Sequence, residues 1–149
     1  VWDLMSKFSL PGMKLLQFSF LEDTPLSIHS PHNYVPHSIC YTGTHDNNTL
    51  QGWYKEEISD EIKNKISIYF NKEIDQNNLN KECIRKAISS VASIAIWPMQ
   101  DMLGLGSESK MNRPGSMQDN WKWRLHSKAP LTKELAQEIL HELKIFNRL

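Results

Sequence analysis

Sulfur chemistry is scarce in this sequence. Its 149 residues include two cysteines, Cys40 and Cys83, and their spacing fits no metal-binding pattern. They read as reduced thiols of an intracellular protein. Net charge is missing as well. Seventeen basic residues balance seventeen acidic ones, which excludes a global pull toward nucleic acid or an anionic membrane. No apolar run reaches the ~18 residues needed to cross a bilayer. The opening stretch VWDLMSKFSL lacks the basic and apolar regions of a secretory signal. It also lacks an initiator Met and begins abruptly in a helix-like pattern. The expectation is a chain that starts inside something larger. What remains is ordinary: 40% hydrophobic and 23% charged residues, enough for a modest core in one domain or a piece of one.

The pattern along the chain alternates strands with helices. Residues 1–9 look like the tail of a helix, stopped by Pro11-Gly12. MKLLQFSF, 13–20, is apolar, aromatic and of strand length. Three prolines make 21–37 a loop. SICYTGT, 38–44, is a second strand. Ser59 then caps a helix with Ile58, Ile62, Ile66 and Tyr69 on one face. A second helix from about Lys81 to Ser90 carries Ile84, Ala87, Ile88 and Val91 on a stripe. VASIAIW, 91–97, reads as a strand buried on both faces. Residues 99–129 form a long irregular region, and a final helix from Thr132 points Leu135, Ile139, Leu143 and Phe146 inward. This order predicts an α/β fold with a parallel sheet. Its chemistry belongs at the C-terminal strand ends, here Phe20-Leu21-Glu22, His45-Asp46-Asn47 and Pro98-Met99-Gln100-Asp101.

The middle one is the most informative. In YTGTHDNNTLQGWY, 41–54, a strand-like run ends in His45, Asp46 and Asn47, with Trp53 and Tyr54 behind. Three readings stand. A His-Asp metal ligand pair of the phosphohydrolase kind needs a helical setting, and this one is strand-like. A structural turn would use Asp46 or Asn47 to cap the next helix. A sugar site would use the carboxylate beside an oxocarbenium-like ring, with amides, imidazole and aromatics as binding groups. Elsewhere, His29, His32 and His37 fall on an irregular loop and read as hydrogen-bonding residues rather than a zinc cluster. LGLGSESK does not match a phosphate loop. Trp121 and Trp123 in NWKWR read as core packing beside an arginine, ahead of nucleic-acid stacking.

Five ordered segments together resemble one family. LPGMKLLQFSF, PHNYVPHSICYTGTHDNNTLQGWY, PMQDMLGLG, MNRPGS and NWKWRL, from Leu10 to Leu125, are similar to the C-terminal part of the amylomaltases, or 4-alpha-glucanotransferases. The resemblance implies a (β/α)8 TIM barrel, of which residues 1–149 would be one C-terminal piece holding about strands six to eight and their helices. It implies transfer of α-1,4-glucan segments between maltooligosaccharides in the cytoplasm, by retaining double displacement and without metal or cofactor. By resemblance Asp46 is the carboxylate that stabilises the distorted ring, and His45 is its sugar-hydroxyl partner. Phe18 and Asn112 match substrate-contacting positions, with Asn47 and Trp53 supporting them. The family's nucleophile Asp and acid/base Glu would lie upstream, so the isolated chain is expected to be inactive. Its partner would be the N-terminal part of the barrel, and open sheet edges would mark where that part pairs. The alternative is a non-catalytic glucan-binding or complementing fragment.

Overall fold

The computed structural model of the chain describes residues 1–21, 23–127 and 130–149. Glu22, named above at a strand end, lies outside the described residues. Three parallel strands form one sheet in the order β1-β2-β3: Gly12–Leu15, Ser38–Tyr41 and Ile94–Ile96. Among the described residues there are six α-helices, Trp2–Lys7 (α1), Leu50–Gly52 (α2), Asp60–Phe70 (α3), Leu79–Ile88 (α4), Met99–Met102 (α5) and Lys133–Ile145 (α6). α2 runs on into a π-helical turn, Trp53–Glu57. The expected α/β organisation with a parallel sheet is what forms.

Local signals account for the helices. The Ser59 side chain accepts the Ile62 amide at 3.4 Å, Asp60 and Glu61 sit in the positive first turn, and Asn71 closes α3 in the left-handed region at φ 51°. Thr132 starts α6 in the same way, accepting the Leu135 amide at 3.2 Å. The main core gathers Leu16, Phe20, Leu50, Trp53, Ile66 and Leu79 among others, with Phe20 edge-on to Tyr69 at 5.5 Å between ring centroids. A smaller cluster of Tyr34, Cys40, Ala87 and Ala92 lies under the face of the sheet that α4 covers. Both thiols are free and buried, and burial pushes both up from the ordinary range.

Four expectations need correction. The first strand does not extend to Phe20. It ends at Leu15, and a 3-10 turn, Leu16–Phe20, folds Gln17 inward. β3 is not buried on both faces. Ile94 and Ile96 are 48% and 41% exposed, and among the described residues β3 is an edge strand paired on one side only. Val91 is exposed because α4 stops at Ile88, so its stripe is not continued. The α6 stripe of Leu135, Ile139, Leu143 and Phe146 is only half-buried, and no residue of that helix is fully covered. Among the described residues, no helix is long and apolar enough to cross a membrane.

Candidate active site

Parallel strands put all three C-terminal ends on one side. There, the residues following Tyr41 and Ile96 converge around a cavity of ≈ 610 Å³, with Met13 of β1 on its wall. Tyr41, Trp97, Met111 and Trp121 supply apolar walls, and the 43–49 loop supplies His45 and Asp46. The Asp46 side chain is half-exposed. Its Oδ1 lies 3.3 Å from His45 Nε2 and accepts a hydrogen bond from Asn112 Nδ2 at 2.5 Å. The Asn112 amide donates to the His45 carbonyl at 3.0 Å, so one residue holds both members of the pair. The His45 ring lies against Trp121 at 5.0 Å between centroids. Chemically this is a carboxylate oriented by two neighbours yet open to a ligand, beside an imidazole and an indole. Such a set can accept hydroxyl hydrogen bonds and face a developing positive charge.

The loop has a rigid base. Gln17 donates its backbone N–H to the Thr42 carbonyl at 3.4 Å and its side-chain Nε2 to the Asn48 carbonyl at 2.9 Å. Gly43 sits against this amide, and a Cβ there would lie 3.2 Å from Gln17 Oε1. Asp101, 1% exposed, accepts from Thr42 Oγ1 at 2.6 Å and from the Leu50 amide at 2.8 Å. Burial raises Asp101 from 3.8 to about 6, opposed by those two hydrogen bonds. Asn48 reaches out to Glu57 Oε1 at 2.8 Å and Ser107 Oγ at 3.0 Å, tying the loop to the π-helical turn.

The residues singled out from the sequence do not all meet here. His45, Asp46 and Asn112 come together. Asn47 also lines the cavity, and its side chain shapes the loop, the Oδ1 accepting from the Thr44 amide and hydroxyl at 3.0 and 2.7 Å. Trp53 is 4% exposed in the core, beneath the site and not on its wall. Phe18 lines a separate cavity of ≈ 530 Å³ with Leu26, Ile28 and His29, and stacks edge-on to His29. The core role expected for Trp121 is wrong. It is 54% exposed with φ 63°, held on the cavity by its amide bond to the Met111 carbonyl. Trp123 is half-buried, and the Arg124 guanidinium donates to the carbonyls of both tryptophans. Gln17 and the reach of Asp101 were not foreseen, because neither carries a spacing signal. The loop histidines do hydrogen-bond: His29 Nδ1 accepts the Leu15 amide, His32 pairs with Tyr69 Oη and His37 with the Ser9 carbonyl.

The pattern of the 4-alpha-glucanotransferase family matches residues 1–131. The chain belongs to that family. Among curated 4-alpha-glucanotransferases, the enzyme of Clostridium butyricum is 39% identical over 146 residues, 98% of this chain and 29% of its own length. The chloroplastic/amyloplastic enzyme of Solanum tuberosum is 43% identical over 127 residues, 85% of this chain and 22% of its own. The amylomaltase of Streptococcus agalactiae in complex with acarbose superposes with a TM-score of 0.90 at 33% identity, covering 98% of this chain and 29% of that one. A Corynebacterium glutamicum amylomaltase shares the fold alone, at TM-score 0.64 and 14% identity. The chain thus spans less than a third of the 4-alpha-glucanotransferases it matches.

Proposed function

We propose that the chain supplies one side of a 4-alpha-glucanotransferase active site, transferring α-1,4-glucan segments between maltooligosaccharides by retaining double displacement. The observation that carries it is the half-exposed Asp46 carboxylate, fixed by Asn112 and His45 on a cavity at the C-terminal ends of parallel strands. Asp46 accepts hydrogen bonds from ring hydroxyls of the bound sugar, and these strengthen as the ring gains positive charge. Trp121 offers a flat apolar wall to the sugar face, and Asn112 keeps Asp46 aimed. The three strands correspond to about the sixth to eighth of a (β/α)8 barrel, within one catalytic domain.

Retaining transfer needs a nucleophile and an acid/base as well. Among the described residues, the carboxylates lining the cavity are Asp46 and Asp101, and Asp101 is buried and already bonded. The nucleophile and the acid/base therefore come from the part of the relatives' length that these residues do not span, and the 149 residues alone do not turn over. The open edges of β1 and β3 are where that part pairs. The test has two arms. The chain alone binds acarbose but releases no glucose from maltotriose. Co-expressed with the part of the Clostridium butyricum relative that precedes the matched residues, it yields glucose and longer oligomers. Turnover by the chain alone would overturn the division of roles. Association without turnover would favour a glucan-binding fragment instead.

A further inference from the structure

The loop that carries His45 and Asp46 leaves the sheet at Thr42 and re-enters regular structure at Leu50. One buried carboxylate holds both points. Asp101 Oδ2 accepts from the Thr42 hydroxyl and Oδ1 from the Leu50 amide, across 59 and 51 residues of chain. The main-chain carbonyl of the same residue accepts from Asn80 Nδ2 on α4 at 3.1 Å, which fixes where the carboxylate stands. Nothing about fold alone requires a charge here. Burying a carboxylate in an apolar setting is costly, and a neutral side chain of the same shape would fill the space. A carboxylate differs in one respect: it accepts at both oxygens simultaneously and without reorientation, and its bonds are stronger for being charge-assisted.

We propose that Asp101 is a positioning residue for the active site, a clasp that closes the base of the 43–49 loop and so sets where the Asp46 carboxylate stands. It touches no sugar in this role and acts through Thr42 and Leu50. The inference rests on the glucan-binding reading of the cavity only for its functional readout. The groups facing the carboxylate are the Thr42 hydroxyl from the end of β2, the Leu50 amide from α2 and, from α4, the Cys83 thiol. The thiol is held neutral by burial and by Asp101 itself. Burial makes Asp101 hold its proton more tightly with the clasp closed than in water, so ionisation as pH rises through about 6 works against closure.

The experiment uses the 149-residue chain and two variants, Thr42→Val and Asp101→Asn, each checked for fold by circular dichroism. Amide hydrogen exchange reads the loop, and maltotriose titration reads the site, at pH 5 and pH 7.5. Thr42→Val removes one arm of the clasp. It speeds exchange at residues 43–49 and weakens maltotriose binding about tenfold, the value of one hydrogen bond to a charged group. The Asp101 contribution makes the wild-type chain bind more weakly at pH 7.5 than at pH 5. Asp101→Asn loses that part of the difference, while His45 and Asp46 are present in both proteins and cancel. Loop exchange and affinity unchanged in Thr42→Val, or a pH difference retained in full by Asp101→Asn, overturns the clasp. Faster loop exchange with no maltotriose binding by any version upholds the clasp and overturns the glucan reading.

Discussion

Two loops build the cavity, and they are held in opposite ways. The 42–50 loop is pinned from below by Gln17 on the β1 side and Asp101 on the β3 side, both almost fully buried. The 110–127 segment hangs from above. It is tied to the site by Asn112 and Trp121 and carries exposed local bonds, such as Arg113 N–H to Asn120 Oδ1 at 2.8 Å. Asp119 and Trp121 both carry positive φ, near 61° and 63°, a conformation that costs energy for residues with a Cβ. The difference assigns labour. The Asp46 carboxylate sits on the rigid base, and the apolar Trp121 wall sits on the lightly held segment.

The largest effect should come from the aimed group. Asp46→Asn in the co-expressed assembly is expected to lower turnover about 10²–10³-fold, the scale of one lost transition-state contact, with unchanged circular dichroism. Next is the pH response of the base. Asp101 is raised from 3.8 to about 6 in the fold, so the native state holds its proton more tightly than the unfolded chain does. Its favourable contribution is complete below about 3.8 and is lost as pH rises through 6. Urea denaturation should therefore show Asp101→Asn gaining about 2 kcal/mol on the wild-type chain between pH 4 and pH 7. A constant gap would place the group's titration elsewhere.

Gln17→Ala leaves a buried carbonyl unpaired and should cost about 1–3 kcal/mol in the same assay. Trp121→Ala is expected to weaken acarbose binding about tenfold while moving the thermal midpoint little, since the ring is half in solvent. Asn120→Ala, on the hanging segment alone, should stay within about 0.5 kcal/mol of the parent. Were Asn120→Ala as damaging as Gln17→Ala, the contrast between the two loops would fail.

Much of the fold could be read from residues that act locally. Ser59 and Thr132 announce their helices, the α3 stripe and the α4 stripe as far as Ile88 face the core, and the His45-Asp46 pair stands at a strand end. What could not be read depends on what a residue meets. MKLLQFSF has the composition of one strand, but Gln17 finds its partners at Thr42 and Asn48, and the backbone turns to reach them. Trp121 looks like core by type and is wall by position. Trp53 looks like a sugar platform from its place behind His45, yet the helix that starts at Leu50 carries it down into the core. β3 has the apolar run of a central strand, and its exposure is set by neighbours that these residues do not include.

The clasp also has a schedule. Thr42 and Leu50 are bonded to a residue that follows them by 59 and 51 positions. At a synthesis rate of roughly 5–20 residues per second, the His45-Asp46 loop leaves the ribosome about 3–12 seconds before Asp101 does. Through that interval α3 and α4 can form, but the site cannot take its shape. The loop that carries His45 and Asp46 is made well before the residue that closes its base.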